Sequence, residues 1–391
     1  MNIGICYERV LPSRGGCEMY IADFARRLKD RGHDVHLYAC RWDNSALPSG
    51  ICYHQLPNST GPRFLRPWHF AANCERELRR DSRDVTMGFD KTWGQDVLYP
   101  QGGLHLASSE QNVCKHSNGF SRAAARALKA IDPAARSFAL LERKQYLGDK
   151  RPTIIVNSGM VRRDFERHLK IPAEQVHVVH AAVDPARFRT NDRLRIRSQV
   201  RSTWGLTDDV PVALFVAMNY RLKGLESLLR SVRLIPRDRG FRLVVVGHPR
   251  TRRYERLARR LGIGDRVVFH GYCRDSRIVY FASDFLVHPT FYDPCSLVAV
   301  EALACGLPVI TSQFNGASEL LHPPHDGLVI DDPHDHQVLA NAITHFLDPD
   351  YRRTASQAAL HSANLWTFDD HYRKMMTILE SAANRSSSRA A

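Results

Sequence analysis

The chain has 391 residues, of which 43% are hydrophobic and 25% charged, and its formal net charge is +14 at pH 7. This length exceeds the usual size of one hydrophobic core and predicts two domains of about 180 residues each. The composition excludes a disordered chain, and no apolar run approaches the roughly 18 residues that would span a bilayer. The positive charge predicts an anionic partner or a surface that tolerates anions, and nucleic acid, anionic lipid and nucleotide phosphates all qualify.

The first segment, Met1 to Tyr7, has no basic region and no long apolar stretch, so we expect a first buried strand and a cytoplasmic protein. A loop with Gly15 and Gly16 follows, and apolar residues at helical spacing from Tyr20 to Leu28 then predict an amphipathic helix. A Gly pair between strand and helix lets backbone N–H groups approach a diphosphate or an acceptor. A tight turn without a ligand is the alternative.

Further strands are predicted at 85–89 and 153–156. The segment from Gly119 to Arg151 contains eight basic residues against three acids, interleaved with apolar side chains. It predicts a basic amphipathic helix on an anionic membrane surface, which would gain on the order of 1 kcal/mol per basic residue. A solvated helix pair with a packed inner side is the alternative. We expect no specific nucleic-acid partner, because the sequence contains no recognition module and too few interleaved aromatic residues.

The second half repeats the alternation of apolar strands and helices, with predicted strands at 210–217, 243–246, 267–270, 285–288 and 309–311 and a predicted helix at 225–235. Continuous apolar strands of this kind indicate parallel sheets covered on both faces. The predicted fold class is therefore α/β, with two doubly wound domains. Ligands of such sheets bind beyond the carboxyl ends of the strands, so the cleft between the domains is the expected site.

Two cations precede a Gly at the end of the 210–217 strand, Arg221 and Lys223. Cations at this place can neutralise a bound diphosphate, because fixed positive charges stabilise its negative charge. No divalent ion is then obligatory. The nine scattered cysteines have no Cys-x-x-Cys pair, and we predict neither a metal site nor a disulfide framework.

Two acids lie eight residues apart across a strand-to-helix turn, Asp293 and Glu301. The first can face the hydroxyl groups of a neutral sugar, and the second, two helical turns further on, can face a ribose diol. Between them the backbone N–H groups of Cys295, Ser296 and Leu297 begin a helix and can receive phosphate. The motif predicts a sugar-nucleotide site. A buried helix with an acidic first turn is the alternative.

This motif resembles that of the retaining glycosyltransferases of family 4, in which Glu-Gly-Phe-Gly is followed by Glu-Ala-Met-Ala-x-Gly-x-Pro-Val. Here Asp293-Pro-Cys-Ser is followed by Glu301-Ala-Leu-Ala-Cys-Gly-Leu-Pro-Val. Asp293 stands where the family normally has Glu, so its carboxylate is one methylene shorter. The resemblance implies a GT-B fold, with two Rossmann-like domains that face each other across a cleft.

The resemblance also implies roles for individual residues. Glu301 would hold the ribose hydroxyls and Asp293 those of the donor sugar. Lys223 matches the phosphate-binding Lys of the family, and Arg221 either assists it or faces solvent, since Met218 stands where many members have Arg. Tyr272 follows a strand where family members hold the nucleotide base, so it either packs on the base or is a core aromatic.

In the first half, Gly15 and Gly16 with Glu18 match the Gly-Gly-x-Glu pattern of the family, although Glu18 suits a capping role nearly as well. The stretches containing Asp90-Lys91 and His105 resemble loops of bacterial lipopolysaccharide core glucosyltransferases, which have Gly-Phe-Asn-Lys at the first of them. Asp90, Lys91 and His105 are thus candidate acceptor or sugar contacts. For His105 a structural hydrogen bond is the alternative.

Family members also suggest the domain boundaries. We predict an acceptor-binding domain over residues 1–183 and a nucleotide-sugar-binding domain over residues 184–365. A last helix at about 366–382 would return to the first domain, and residues 383–391 would form a disordered tail.

The implied activity is transfer of a hexosyl unit, favoured as glucose from UDP-glucose, to a saccharide or glycolipid such as lipopolysaccharide core, with retention and without a cofactor. The related core enzymes use the region corresponding to 119–151 at the inner membrane face, which implies a peripheral location. No side chain is a convincing covalent nucleophile, and this suits a front-face substitution. The alternatives are a sugar-nucleotide-binding protein that has lost catalysis and a basic nucleic-acid-binding protein.

Overall fold

The structure is a computed structural model that describes residues 1–12, 15–80 and 82–390. The chain forms two compact units. Residues up to His180, together with those from Asp370 onward, make the first unit, and Ala181–Asp369 make the second. The chain therefore passes from the first unit to the second after His180 and returns after Asp369.

The first unit contains a seven-stranded parallel sheet in the order β5-β3-β1-β6-β7-β8-β9, and β2 and β4 pair separately. Its elements before the first crossing are β1 (Asn2–Cys6), β2 (Arg9–Val10), α1 (Gly16–Asp30), β3 (Asp34–Ala39), β4 (Arg41–Trp42), β5 (Cys52–Gln55), α2 (Arg66–Leu78), β6 (Val85–Phe89), β7 (Val97–Tyr99), α3 (His105–Cys114), α4 (Gly119–Ile131), α5 (Pro133–Leu147), β8 (Thr153–Val156), α6 (Gly159–Leu169) and β9 (Val176–Val178).

The second unit contains a six-stranded parallel sheet in the order β12-β11-β10-β13-β14-β15. Its elements are α7 (Arg193–Thr203), β10 (Val212–Ala217), α8 (Leu225–Leu234), β11 (Arg242–Gly247), α9 (Arg252–Arg260), β12 (Val267–Gly271), α10 (Ser276–Phe281), β13 (Phe285–His288), α11 (Leu297–Ala304), β14 (Val309–Ser312), β15 (Gly327–Ile330), α12 (His336–His345) and α13 (Pro349–Leu365). The last helix, α14 (Phe368–Ala390), belongs almost entirely to the first unit.

The sheets are buried on both faces, which explains their continuous apolar strands. All five residues of β6 are buried, as are all four of β13. Helices cover each sheet on both sides, so the central strands are mainly apolar on both faces. The second unit accordingly has two apolar clusters, which share the residues of its strands between them. This arrangement is the doubly wound α/β fold that the sequence predicts.

The C-terminal helix is held to the first unit through His371. Its Nδ1 lies 2.8 Å from the carbonyl oxygen of His180, and its Nε2 lies 2.7 Å from the hydroxyl oxygen of Tyr20. The helix continues to Ala390, whereas the sequence predicted disorder from residue 383; Ala391 lies outside the described residues. Within the described part of the chain, no helix is both long and apolar enough to cross a membrane.

Candidate active site

The ends of two adjacent strands of the second sheet bring Lys223 and Asp293 together. Nζ of Lys223 lies 2.5 Å from Oδ2 of Asp293 and 3.1 Å from the carbonyl oxygen of Tyr292. Burial raises the pKa of Asp293, but the positive charge of Lys223 and the hydrogen bonds from His288 and Lys223 together outweigh burial and keep that pKa well below its ordinary value. Asp293 is therefore ionised at neutral pH, and two of the predicted donor-site residues are direct partners.

Backbone contacts fix the geometry of this pair. The loop after β10 and the loop after β13 are joined by a hydrogen bond from the N–H of Phe291 to the carbonyl oxygen of Leu222, at 2.9 Å. Gly224 has a φ of +81°, and a Cβ at this position would collide with the carbonyl oxygen of Pro289. Only Gly therefore allows the Lys223 loop to lie against the Asp293 loop.

A histidine that the sequence analysis did not single out also contacts the carboxylate. His288 is the last residue of β13, is 1% exposed, and its Nε2 lies 3.4 Å from Oδ2 of Asp293. Burial lowers the pKa of His288, so the ring is neutral and Nε2 carries the proton that it donates. A polar residue at the carboxyl end of an apolar strand was the available sequence signal.

Asn315 organises the turn between the two acids. The backbone of Asp293 pairs with the strand-like segment around Asn315. The Asn315 side chain, which is fully buried, accepts hydrogen bonds from the N–H groups of Ser296 and Ala317, at 3.1 and 3.0 Å. The predicted phosphate role of the Ser296 N–H must therefore be revised, because Asn315 occupies that donor. Cys295 is buried beside it, and Leu297 is the first residue of α11.

Glu301 has a dedicated partner. It lies in the second turn of α11, and the buried hydroxyl of Tyr280 donates a hydrogen bond of 2.7 Å to its Oε2. Burial raises the pKa of Tyr280 well above its ordinary value, so the phenol keeps its proton and acts as a donor. No sequence pattern indicated this contact, because Tyr280 belongs to a different helix.

The remaining second-unit candidates are more exposed. Tyr272 is 52% exposed, so it is not a core aromatic, and Met218 at the end of β10 is 53% exposed. Arg221 is also exposed and lies within electrostatic range of Glu226. The structure thus places Lys223 directly at Asp293 and places Arg221 near a different acid.

Four first-unit candidates line one cavity of about 530 Å³, namely Glu18, Asp90, Lys91 and His105. Gly15 lies just before α1 with an extended backbone, and α1 begins at the next residue, Gly16. Ser13 and Arg14, between these glycines and the first strands, lie outside the described residues. The acceptor-side candidates therefore line one cavity, whereas the Gly pair lies at the start of α1.

Asp90 follows β6 with a φ of 52°, a left-handed conformation that is uncommon for residues other than Gly. Its Oδ1 accepts the N–H of Gly102 at 3.0 Å, and the side-chain amide of Gln145 donates to the carbonyl oxygens of Asp90 and Thr92. Strained backbone held by several hydrogen bonds is characteristic of ligand sites. Burial raises the pKa of the Asp90 carboxyl.

Lys91 and His105 contact the same aromatic ring. Nζ of Lys91 lies 3.6 Å from the ring centroid of Phe138, and the His105 ring meets Phe138 edge to face at 4.9 Å. Burial lowers the pKa of His105 to about 4, so its ring is neutral. Its Nε2 is buried without a hydrogen-bond partner among the described residues.

The sequence analysis missed Glu142, which is 6% exposed and lines the same cavity. Its carboxylate accepts the N–H groups of His105 and Leu106 at the start of α3. Burial raises the pKa of Glu142 to about 7. A carboxyl group from α5 thus caps α3 and fixes the His105 backbone.

Comparisons with known proteins agree with this architecture. Residues 14–187 match the family model described as Glycosyltransferase Family 4, and residues 197–361 match the model described as Glycosyl transferases group 1. D-inositol 3-phosphate glycosyltransferase 2 of Catenulispora acidiphila is 30% identical over 369 residues, which cover 86% of this chain and 83% of that protein. The chain belongs to glycosyltransferase family 4. This family 4 glycosyltransferase is also 24% identical over 350 residues to lipopolysaccharide glucosyltransferase WaaG of Escherichia coli, covering 88% of this chain and 90% of WaaG.

Solved structures identify the fold. A crystal structure of WaaG matches with a TM-score of 0.80 and 22% identity, covering 96% of this chain and 99% of WaaG. HepE of Anabaena in complex with UDP-glucose matches with a TM-score of 0.71 and 19% identity, covering 97% of this chain and 99% of HepE. The prediction of a GT-B fold made of Rossmann-like α/β units is confirmed, as is the prediction of a glycosyltransferase enzyme.

Proposed function

We propose that this family 4 glycosyltransferase transfers a hexosyl unit, favoured as glucose from UDP-glucose, to a hydroxyl group of a saccharide or glycolipid such as lipopolysaccharide core. The ion pair between Lys223 and Asp293 carries the proposal, because it offers a cation for a diphosphate beside a carboxylate for sugar hydroxyls. The name of WaaG supports glucose and the lipopolysaccharide acceptor, and the UDP-glucose complex of HepE supports the donor.

In the proposed complex, Lys223 binds the diphosphate and stabilises the negative charge that grows on it as the glycosyl bond breaks. Arg221 assists it, and no divalent ion is required. Oδ2 of Asp293 is engaged by Lys223 and His288, so Oδ1 accepts from a donor-sugar hydroxyl. Glu301, oriented by Tyr280, binds the ribose diol. The leaving phosphate deprotonates the acceptor, and the anomeric configuration is retained.

Donor binding and turnover test this proposal. UDP-glucose should raise the Tm more than GDP-glucose or ADP-glucose does, since a ligand at 100 times its Kd stabilises the fold by about 2.7 kcal/mol. Lys223→Met should abolish that rise, whereas Arg233→Gln, an exposed cation on α8, should keep it. Release of labelled glucose then separates an enzyme from an inactive binding protein. Equal Tm shifts with and without Lys223 would rule the assignment out.

We also propose that α4 docks on an anionic membrane surface, which would place the enzyme peripherally at the inner membrane face. The stretch 119–151 consists of two helices, and the second, α5, buries Phe138 and Leu141. All residues of α4 are at least partly exposed, and Phe120, Leu128 and Ile131 are 86%, 67% and 70% exposed.

These three side chains share one face of α4, since they are spaced eight and three residues apart. An apolar stripe that faces away from its own domain can enter the boundary between lipid headgroups and acyl chains. Burying each such side chain would contribute roughly 1.5–3 kcal/mol. The net charge of +14 would add attraction to anionic lipid.

Vesicle flotation tests the membrane proposal. The protein should float with vesicles containing phosphatidylglycerol at low salt, and less with pure phosphatidylcholine or at high salt. Replacing Phe120, Leu128 and Ile131 with Ser should abolish flotation. The matched control is Leu194→Ser, because Leu194 is 79% exposed on the basic helix α7. Flotation that survives the triple substitution, or that Leu194→Ser removes equally, would refute the role of α4.

A further inference from the structure

We infer that the cavity of the first unit contains a subsite for an anionic group, formed by Lys91 and Arg63, and that the acceptor is therefore a saccharide carrying a phosphate or carboxylate. The identity of this ligand as the acceptor rests on the proposed transferase function. The affinity of the subsite for an anion does not depend on that function. Arg63 was not among the residues that the sequence indicated.

Two cations in the cavity wall have no carboxylate oxygen within ion-pair distance among the described residues. Lys91 and Arg63 both line the cavity, and among the residues that the structure describes neither makes an ion pair or a hydrogen bond. The Lys91 ammonium rests instead on the Phe138 ring, at 3.6 Å from the centroid. Burial lowers the pKa of Lys91, the negative charges of Asp90 and Glu142 raise it, and the nearby charge of Arg63 lowers it. Like charges held together beside an open cavity are stabilised when an anion binds between them.

The carboxylates of the same wall are already stabilised by protein groups. Glu142 accepts two backbone N–H groups, and Asp90 accepts one. Glu8 lies 3.5 Å from the guanidinium of Arg9. Glu18 lies in the first turn of α1, where the helix dipole favours a negative charge. Although the wall contains both signs of charge, the charged groups without an ion-pair or hydrogen-bond partner among the described residues are therefore the two cations, Lys91 and Arg63.

Arg9 adds a further unmet donor to this wall. Its Nε is buried without a hydrogen-bond partner among the described residues, while its Nη2 lies 3.5 Å from Oε1 of Glu8. A buried donor without an acceptor costs about 1–3 kcal/mol. A phosphate or carboxylate group supplies several acceptor oxygens, whereas a neutral sugar hydroxyl cannot neutralise either cation. The unmet groups thus select for an anionic ligand.

Three sugars of similar size separate the possibilities: glucose 6-phosphate, glucuronate and glucose. We expect calorimetry to detect binding of at least one charged sugar to the full chain, at least about tenfold tighter than glucose, a difference of about 1.4 kcal/mol. Preference for glucose 6-phosphate would assign a phosphate subsite, and preference for glucuronate a carboxylate subsite. Equal affinity for all three sugars, or binding of none, would overturn the inference.

Substitutions locate the binding. Lys91→Met and Arg63→Gln should each weaken the charged sugar by about tenfold or more and leave glucose unchanged. Lys144→Met is the matched control, since Nζ of Lys144 lies 4.0 Å from the Trp93 ring centroid but lines a different cavity. Lys223→Met should also leave the affinity unchanged, because Lys223 belongs to the second unit. Loss of binding only in Lys223→Met would place the anion in the donor site and refute the inference.

Two measurements distinguish a failure of the anion subsite from a failure of the proposed transferase function. Arg63 is exposed, so Arg63→Gln should fold even if Lys91→Met does not. Hydrolysis of UDP-glucose without acceptor should be unchanged in Arg63→Gln, because the donor residues are intact. If wild-type protein binds the charged sugar but never turns over a donor, the anion subsite stands and the transferase proposal fails. If both substitutions leave transfer to an anionic acceptor unchanged, the subsite inference fails and the transferase proposal stands.

Discussion

Nζ of Lys223 lies 2.5 Å from Oδ2 of Asp293, so the two residues are each other's counterion in the second unit. Their side chains are only 19% and 13% exposed, and His288 approaches the same carboxylate oxygen. A donor diphosphate would thus meet a lysine whose position is already fixed, which reduces the cost of ordering it on binding. The shorter carboxylate of Asp is compatible with this geometry, because its oxygen reaches both partners.

We predict that Lys223 and Asp293 are coupled in stability. Removing one partner of a poorly exposed pair leaves the other charge uncompensated, so Lys223→Met and Asp293→Asn should each lower the free energy of unfolding by roughly 2 kcal/mol. The double variant should lose less than the sum of the two, by about 1 kcal/mol or more. Urea unfolding of the four proteins measures this coupling. Strictly additive losses would show that the pair contributes nothing to stability.

Gly224 should tolerate no side chain. Gly224→Ala introduces a Cβ that collides with the carbonyl oxygen of Pro289, in addition to the strain of a left-handed residue, which is about 1–2 kcal/mol. The matched control is Gly205→Ala, because Gly205 has a φ of +68° and no described atom lies within 4 Å of its added Cβ. We expect Gly224→Ala to lose clearly more stability and most donor hydrolysis, and Gly205→Ala to keep its activity. Similar losses in both variants would contradict the clash.

Tyr280 should act on the donor through Glu301. Tyr280→Phe removes the hydroxyl that orients Glu301, so the KM for the donor should rise by about tenfold while kcat changes less. Tyr351→Phe is the control, since it removes a hydroxyl that donates to the carbonyl oxygen of Pro324 at the same distance of 2.7 Å. Steady-state kinetics with varied donor concentration decides the point. An unchanged KM in Tyr280→Phe would mean that Glu301 needs no orienting partner.

The sequence predicted those parts of the site that depend on local spacing. Asp293 and Glu301 are set by one turn and one helix, and the strand before Lys223 is long and apolar, so both could be placed from the chain alone. His288 and Tyr280 could not, because their importance depends on which side chain they meet in three dimensions. Tyr280, for example, belongs to α10, which precedes the helix that carries Glu301.

Short strands and packed helices limited the rest of the prediction. Segments β7 and β9 have only three residues each, and β5 has no buried residue, so these strands lack a clear hydrophobic pattern. Glu142 lies within a basic helical stretch, and only the packing of α5 against α3 shows that its carboxylate is buried. The cavity around Lys91 likewise depends on loops that are far apart in sequence. Such contacts are set by tertiary structure and leave no periodic signal.

His371 should make the stability of the protein sensitive to acid. Burial lowers its pKa to about 4 in the folded state, against about 6.5 when unfolded. Its Nδ1 donates to the carbonyl oxygen of His180, so Nε2 must remain unprotonated to accept from Tyr20. The unfolded chain binds this proton first as the pH falls, so the stability contributed by the neutral ring is complete above about pH 6.5 and is lost between about pH 6.5 and pH 4.

This loss should amount to roughly 3 kcal/mol, and His371→Leu should remove it. The variant should be less stable than wild type at pH 7, because Tyr20 and the carbonyl oxygen of His180 lose their partner. The difference between the two proteins should narrow as the pH falls to 4. Urea unfolding at several pH values measures this difference in the free energy of unfolding directly. Other groups that titrate in this range, such as His105 and Glu142, contribute equally to both proteins, so their contributions cancel when the two free energies are subtracted. A constant difference across this range would mean that His371 does not titrate with folding.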